Sequence, residues 1–203
     1  MFKIILFGAG GHAKSCVEVI ERLKKFKIQF LVDNKKNLKL NSYKIIKEEK
    51  LSEIKKKCNR ALITFGGIKN LESRNKKFKE LKELGFLFPV IISNTSYVSY
   101  NSNIGDGSII MNQSLVNAGS KIGKNCIINT RAVIEHDVTI HDNCHISTGT
   151  IINGNVKIEK NTFVGSGSII FNNIKIGKNC VISAGSIIRK NIPDNALIKK
   201  NEE

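Results

Sequence analysis

Residues 122–151 of this 203-residue chain decide its fold when they are written in groups of six: IGKNCI INTRAV IEHDVT IHDNCH ISTGTI. Each group begins with Ile, and its fifth residue is small in most groups. An α-helix repeats every 3.6 residues and a flat strand every two, so neither keeps a period of six on one face. This period, with one aliphatic and one small inward position, is typical of a parallel β-helix, in which three short strands form one triangular coil.

The same period extends on both sides without a break in register. The first position holds Ile or Val in all seventeen groups of residues 92–193. The fifth position is larger only at Val138, Val156, Ile174 and Ile192. At three strands per coil, seventeen groups predict just under six coils and a prism about 27 Å tall.

Three of the five cysteines occupy the fifth position of a group. Cys126, Cys144 and Cys180 are separated by multiples of eighteen residues, so we expect them to stack in one column of the prism. With Cys16 and Cys58 they are interpreted as small buried thiols in a reducing cytosol, rather than as disulfides or metal ligands.

The positive charge of the chain is unevenly distributed. The formal net charge is +16, yet residues 1–91 hold 22 Lys and Arg against 9 Asp and Glu, whereas residues 92–203 hold 11 against 8. Many of the lysines lie in amphipathic helical segments without interleaved aromatic residues, so they indicate solvated helix faces and disfavour nucleic-acid binding.

No apolar run is long enough for a membrane span and no signal peptide is evident, so a cytoplasmic location is expected.

The first third of the chain has the pattern of a half-Rossmann unit. Residues 3–7 predict a strand, 15–25 a helix, and 29–32 a second strand that ends at Asp33. In the glycine turn between strand and helix, Gly8, Gly10 and Ala13 satisfy the dinucleotide fingerprint. Such a turn favours a bound phosphate or base. The alternative is a tight turn without a ligand.

A third predicted strand, residues 60–65, and a helix containing Leu71, Phe78, Leu81 and Leu84 complete this region. We place the domain boundary between residues 89 and 90, with an α/β half-Rossmann domain over 1–89 and the β-helix over 90–203. About ninety residues is too few for both halves of a dinucleotide domain. This counts against a nicotinamide-dependent enzyme, which a failure to bind NAD would exclude.

The candidate catalytic run is residues 134–137, IEHD. Because Ile134 points inward, Glu135 faces outward and His136 lies at the following corner, so His136 is not a core histidine. A histidine beside Asp137 or Glu135 is a base with a candidate orienting carboxylate. An exposed histidine without a role is the alternative. His145 should also face outward.

The chain resembles the sugar acetyltransferases that O-acetylate sialic acid or N-acetylate bacillosamine-type amino sugars. The resemblance covers nearly the whole chain and is carried by residues of both halves. They are Gly8 to His12, Val32 to Asn34, Gly66 with Arg74, Ile128 to Thr130, Ile134 to Asp137, Ser183 to Ser186, and Ile192 to Ala196. It implies a left-handed β-helix, which the period alone does not, and a homotrimer with active sites between subunits.

The resemblance also implies roles for individual residues. His136 is the general base, Asp137 orients it, Glu135 lies beside it, and Asn129 is a polar residue next to the active site. The Gly154 N–H, one coil after His136, is placed to stabilise the oxyanion. His145 is implied to bind acetyl-CoA or the acceptor, and contacts with acetyl-CoA are implied for Gly154, Gly165 and Ala184. After Asn195 the chain departs from the family's Gly-x-Pro-Ala tail, so Lys199 and Lys200 are the candidates for contacts with the CoA phosphates. The nucleotide-sugar site of the small domain is formed by Gly8, Gly10, Gly11, His12, Asp33, Asn34, Lys35 and Gly66. No metal is expected, because the outward histidines do not form a ligand set.

The acceptor stays open between two branches of this family. His12 with His145 favours N-acetylation of a nucleotide-linked 4-amino-4,6-dideoxy sugar. The runs at residues 129–131 and 163–166 are similar to the sialic acid O-acetyltransferases, which act on sialic acid or a related nonulosonate. Direct transfer without an acyl-enzyme is expected, since no serine or cysteine lies beside the base. A noncatalytic β-helix scaffold is a further alternative.

Overall fold

A computed structural model describes residues 1–35, 39–40, 42–67 and 71–199. The N-terminal domain is a four-stranded parallel sheet in the order β3-β2-β1-β4. Helix α1 connects β1 to β2, α2 precedes β4 and α3 follows it. Its elements are β1 (Phe2–Phe7), α1 (Gly11–Arg22), β2 (Phe26–Val32), β3 (Ile45–Ile46), a 3-10 turn (Glu48–Lys50), α2 (Leu51–Lys57), β4 (Ala61–Ile63) and α3 (Glu72–Glu83).

The half-Rossmann prediction is confirmed, but two details were wrong. Helix α1 begins four residues earlier than predicted, because the chain is already helical directly after Gly10. It ends at Arg22, since Lys24 adopts a left-handed conformation with φ of 50°. Strand β3 was not predicted, because its two half-buried isoleucines are too short a run to signal a strand.

The remainder of the chain is a left-handed parallel β-helix of two-residue strands. Every strand pairs in parallel with the strand eighteen residues away, except that β20 pairs with β22 at sixteen. Face 1 consists of β5 (Ile91–Ile92), β8 (Ile109–Ile110), β11 (Ile127–Ile128), β14 (His145–Ile146), β17 (Phe163–Val164), β20 (Val181–Ile182) and β22 (Leu197–Ile198). Face 2 consists of β6 (Tyr97–Val98), β9 (Leu115–Val116), β12 (Val133–Ile134), β15 (Ile151–Ile152), β18 (Ile169–Ile170) and β21 (Ile187–Ile188). Face 3 consists of β7 (Asn103–Ile104), β10 (Lys121–Ile122), β13 (Thr139–Ile140), β16 (Lys157–Ile158) and β19 (Lys175–Ile176).

The interior of the prism follows the predicted six-residue rule. The first-position aliphatics from Ile110 to Ile188 are buried in one core, and those of the first coil close its open end. The predicted cysteine column is present, and its thiols are free and buried. Each thiol donates to a carbonyl of the following coil, as Cys144 does to the Glu159 carbonyl at 3.2 Å. The column is therefore structural, as the sequence indicated.

An asparagine ladder runs along the corner between face 3 and face 1. Each rung adopts a left-handed conformation, and its side-chain amide bonds to the asparagine of the next coil at 2.9 to 3.3 Å. Asn75 of α3 hydrogen bonds to the ladder, so this helix is attached to the prism. The rungs are Asn125, Asn143, Asn161, Asn179 and Asn195.

The small domain covers one half of face 1. The outward residues Ile91, Ile109 and Ile127 are fully buried and share a core with α1 and β1. They are followed at the same interval of eighteen by His145 and Phe163, which are 8% and 6% exposed. Face 1 therefore carries the domain interface over its first coils, and the edge of the small domain lies near His145.

Candidate functional site

A cleft of about 790 Å³ begins where the small domain ends on face 1. One wall is small-domain residues, and the floor is the outer surface of the last coils. The structure brings six predicted site residues together here: His12, Gly66, Asn129, His145, Gly165 and Ala184. The other lining residues were not predicted: Gly67, Ser147, Phe163, Ser166, Asn179, Val181, Ile182, Ser183, Asn195, Ala196 and Leu197.

His145 is the link between the two domains at this cleft. It leaves the prism outward, as predicted, but it is buried rather than open to solvent because the small domain lies over it. Its Nε2 lies 3.4 Å from the side-chain nitrogen of Asn129. Its ring packs edge-on against the ring of Phe163, with ring centroids 5.2 Å apart. A Cβ on Gly66 would lie 3.4 Å from the ring. The ring is thus held on three sides.

His12 faces His145 across the domain interface, with ring centroids 6.4 Å apart. The pKa of His145 is lowered to about 3, first by burial and then by His12 and Arg74. Burial, followed by the charge of Arg74, lowers the pKa of His12 to about 4. Both imidazoles are therefore neutral at physiological pH. A neutral imidazole has one nitrogen that donates and one that accepts, which suits it to orienting a polar ligand.

His136 and Asp137 lie at a different corner, between face 2 and face 3. The Nδ1 of His136 is 2.9 Å from the Asp137 Oδ2, and the two side chains are 62% and 65% exposed. An Asp carboxylate accepts the Nδ1 proton, which leaves Nε2 free to take a proton. Asp137 has φ of 59°, and this left-handed turn aims its carboxylate back at the ring. The pair is a geometrically competent base.

Gly154 is required beside this pair. A Cβ on Gly154 would lie 2.6 Å from the His136 Nε2, so only glycine leaves the ring its place. The amides of Asn153 and Asn155 donate to the carbonyls of Ile170 and His136, whereas the Gly154 amide has no such partner within the described ranges. Its predicted role as an oxyanion donor stays a prediction.

Glu135 does not contact the His136 ring. Its carboxylate accepts from the Asn117 side chain at 2.9 Å, which ties two coils together on the outer surface. Asn129, expected next to the active site, lies in the cleft with His145 of the same chain, whereas His136 lies at the corner between faces 2 and 3. The base and the cleft are therefore separated by the width of the prism in one chain.

The glycine turn and Asp33 lie together at the carboxyl end of β1 and β2. Gly8 has φ of 110°, and a Cβ there would lie 2.9 Å from the Phe65 ring, so both conformation and contact demand glycine. Asp33 accepts from the amides of Ala9 at 2.8 Å and Lys35 at 2.9 Å. The carboxylate thus shapes the turn. Gly10 and Gly11 have open space around them, so this side of the turn is free to approach a ligand.

Two further predicted residues flank these regions. The side-chain nitrogen of Asn34 donates to the Glu48 carboxylate at 3.2 Å, and its side-chain oxygen accepts from the Glu48 backbone N–H at 3.1 Å. These two hydrogen bonds fix the chain after β2. Lys199 is exposed and follows Leu197 of the cleft wall. Lys200, also considered for the CoA phosphates, lies outside the described residues.

Comparison with known proteins agrees with this architecture. Residues 3–81 match the model of the PglD N-terminal domain, and residues 110–201 match that of the GMPPB C-terminal domain. No curated protein matches the chain significantly. Among solved structures, the acetyltransferase domain of PglB from Neisseria gonorrhoeae in complex with acetyl coenzyme A is 28% identical, with a TM-score of 0.90 over 96% of this chain and 94% of that chain.

The chain is similar to hexapeptide-repeat sugar acetyltransferases. PerB from Caulobacter crescentus, solved with CoA and GDP-perosamine, is 25% identical with a TM-score of 0.89 over 96% of this chain and 92% of that one. WeeI from Acinetobacter baumannii, at 22% identity and a TM-score of 0.87 over 99% and 98%, shares the fold. The predicted acyltransferase class is confirmed, with acetyl-CoA as the co-substrate of such enzymes.

Two further findings concern metal binding and membrane-spanning helices. No group of three or more His, Cys, Asp or Glu among the described residues is arranged to hold a metal ion. No helix in the described part of the chain is long and apolar enough to cross a membrane.

Proposed function

We propose that this acetyltransferase transfers the acetyl group of acetyl-CoA to the amine of a nucleotide-linked 4-amino-4,6-dideoxy sugar. The observation that supports this most is the position of the cleft, which is bounded by the small domain on one side and the prism on the other. A ligand held by the glycine turn near His12 can reach this cleft directly. Similar proteins solved with acetyl coenzyme A or with CoA and GDP-perosamine support both substrates.

His136 is the proposed general base. Its Nδ1 is engaged by Asp137, so Nε2 takes the proton from the sugar amine as the nitrogen attacks the thioester carbon. The tetrahedral intermediate collapses with loss of the CoA thiolate, and the amide product leaves. The exposed position of the pair suits proton exchange with solvent after each turnover.

The active site is proposed to form between subunits of a homotrimer. In one chain, His136 lies at the corner of faces 2 and 3, whereas the cleft lies along face 1. A second copy must therefore bring its His136 to the cleft. The outer column of face 2 is apolar in every coil and only partly covered, which suits burial against other copies. It consists of Tyr97, Leu115, Val133, Ile151, Ile169 and Ile187.

The acceptor is tested by release of free CoA thiol from acetyl-CoA. The panel contains UDP-, GDP- and dTDP-linked 4-amino sugars, with free and CMP-linked sialic acid alongside. Rapid release with one amino sugar is expected. Release with sialic acid alone would instead support the O-acetylating alternative, and no release with any sugar would support a scaffold.

The shared site is tested by mixing subunits. His136→Gln lacks the base but keeps the cleft. Ala184→Trp keeps the base but fills the cleft, and Ala184 is exposed, so the core is undisturbed. Each variant alone should be inactive. After co-refolding at equal amounts, about one quarter of sites should combine an intact base with an intact cleft and regain activity. No recovery in verified mixed oligomers would contradict a site between subunits.

A further inference from the structure

Arg74 is a fully buried arginine whose function the sequence did not reveal. It lies in the first turns of α3 and is 1% exposed. Its Nη1 donates to the carbonyls of Ile63 at 2.7 Å and Phe65 at 2.9 Å. Its Nε donates to the Asn125 carbonyl of the prism at 3.4 Å. One guanidinium thus joins the end of β4 to the β-helix, directly before the Gly66–Gly67 turn that covers His145.

The charge of Arg74 is not neutralised locally. No carboxylate in the described portion of the chain forms an ion pair with it, and its Nη2 has no hydrogen-bond partner there. Burial lowers the pKa of Arg74 to about 10, so the guanidinium remains charged at neutral pH. Apolar residues of similar volume commonly replace buried ions without loss of stability. A buried unpaired cation is therefore a costly way merely to hold two domains together.

The groups that face this charge come from three elements. His12 and Cys16 are on α1, Cys126 is in the turn before β11, and His145 is on β14. Burial raises the pKa of Cys16 to about 12, and the Cys126 thiol donates to the His141 carbonyl at 3.2 Å. The Cys16 thiol is therefore neutral, and no carboxylate in the described part of the chain lies within ion-pair distance of Arg74. The resulting positive potential acts on the two imidazoles.

We propose that Arg74 is a positioning residue for acetyl transfer: it clamps the turn after β4 against His145 and places an unpaired positive charge behind the His12 and His145 rings. The clamp sets the width of the cleft where small domain and prism meet. The charge disfavours a second proton on either ring, so each keeps a nitrogen that accepts a hydrogen bond from the substrates. The link to acetyl transfer depends on the proposed function, whereas the electrostatic part does not.

The test separates charge from clamp with two substitutions. Arg74→Gln removes the charge but retains an amide that can donate to the Ile63 carbonyl. Arg74→Lys retains the charge but loses the planar fork that reaches three carbonyls. Arg60→Met is the matched control, because Arg60 precedes β4 at the opposite end of the strand from Gly66 and stacks on Phe2 at 4.6 Å. All three are compared with the wild type as full-length protein.

Histidine Cε1–H signals are followed by NMR between pH 3 and pH 8, and kcat and KM are measured by thiol release. Arg74→Gln should raise the pKa values of His12 and His145 by about one pH unit. The reason is that the positive charge that repels a protonated imidazole has been removed. Arg74→Lys should leave both pKa values low but raise KM for the nucleotide sugar several-fold, with a smaller change in kcat. Arg60→Met should match the wild type in both measurements.

Unchanged histidine pKa values in folded Arg74→Gln would overturn the electrostatic part, and a wild-type KM in Arg74→Lys would overturn the clamp. If Arg74→Gln does not fold, Arg74→Lys alone tests the electrostatic part of the proposal. Ordinary pKa values of His12 and His145 in this variant, which retains the charge, would contradict it. The titration needs no activity, so a failure of acetyl transfer would leave its outcome readable.

Discussion

Two pairs of side chains in this molecule use histidine in opposite ways. His136 and Asp137 project from a corner of the prism with side chains 62% and 65% exposed. His12 and His145 lie between the domains, where burial and a nearby cation lower their pKa values to about 4 and 3. Solvent can carry protons to and from the first pair, whereas the second pair is kept neutral and held in place. In the proposed mechanism, the fold thus separates proton transfer by His136 from substrate orientation by His12 and His145.

The difference also explains why the two pairs belong to different chains in the proposed trimer. A buried, rigid pair needs a second domain to cover it, and the small domain supplies that cover only on face 1. An accessible base needs a bare corner, which the prism offers between faces 2 and 3. Assembly of several copies lets one site use both without exposing the buried pair.

The largest effect should come from removing the base. His136→Gln keeps the volume and a hydrogen bond to Asp137 but takes no proton at neutral pH. We expect kcat to fall by about 10²- to 10⁴-fold, with little change in KM or in the melting temperature. Thiol-release kinetics and thermal unfolding measure both. Asn153→Ala, a change one residue before Gly154 that removes a side-chain hydrogen bond to the Ile170 carbonyl, is the control. A loss of stability that matches the loss of rate would show that the exposed pair is structural.

A smaller loss is expected when the base is displaced rather than removed. In Gly154→Ala the new Cβ would lie 2.6 Å from the imidazole, which must rotate away from Asp137. Since an exposed side chain moves at little cost, we expect about a 10- to 100-fold loss in kcat and a change in stability below about 1 kcal/mol. Gly149→Ala serves as a backbone control, because this glycine has open space around it but, unlike Gly154, a φ of 66°, so any loss of stability there comes from the backbone conformation and not from a displaced ring. Full activity in Gly154→Ala would mean that the His136 position seen here is not the reactive one.

The buried pair should reveal itself through the pH dependence of stability. Unfolded histidines bind protons below about pH 6.5, whereas folded His145 and His12 do so only near their lowered pKa values of about 3 and 4. Stability is therefore greatest above pH 6.5 and is lost as the pH falls towards 3. Between pH 6.5 and pH 5, each histidine should cost about 2 kcal/mol of unfolding free energy.

Urea unfolding at pH 7 and pH 5 checks this expectation. His145→Gln should lose less stability between the two pH values than the wild type, by about 2 kcal/mol. His136→Gln serves as the comparison, because its position is exposed. Equal pH dependence in His145→Gln and the wild type would show that His145 is protonated in the folded protein.

Most of the prism could be predicted from sequence because one short-range rule determines it. An inward aliphatic every six residues fixes strand positions, coil number and the buried cysteine column without knowledge of distant contacts. The outer faces follow a second rule, which was not among the predictions. Every eighteenth outward residue falls on the same face, and the run Ile91, Ile109, Ile127 is a signal for a covered surface.

The domain interface could not be predicted in the same way. His145 was expected to face solvent because a strand pattern distinguishes inside from outside but does not say what covers the outside. Arg74 was quoted only as part of a resemblance, since arginines are mostly exposed and sequence gives no reason to bury one. Contacts of α3 with β4 and the prism bury Arg74, whereas the small-domain residues Gly66 and His12 cover His145. The resemblance named residues of both domains that line the cleft, such as His12, Gly66 and His145, whereas their burial and mutual contacts across the interface could not be predicted.

Face 1 has an evolutionary consequence. Its early coils contact the small domain, and its late coils form the floor of the cleft. Every coil repeats the same pattern of inward-facing aliphatic residues. Insertion or deletion of eighteen residues late in the repeat would therefore lengthen or shorten the cleft by one step of about 4.8 Å and leave the domain interface in register. A lineage could accommodate acyl carriers or sugars of different length by gaining or losing coils, without changing the residues that perform the reaction.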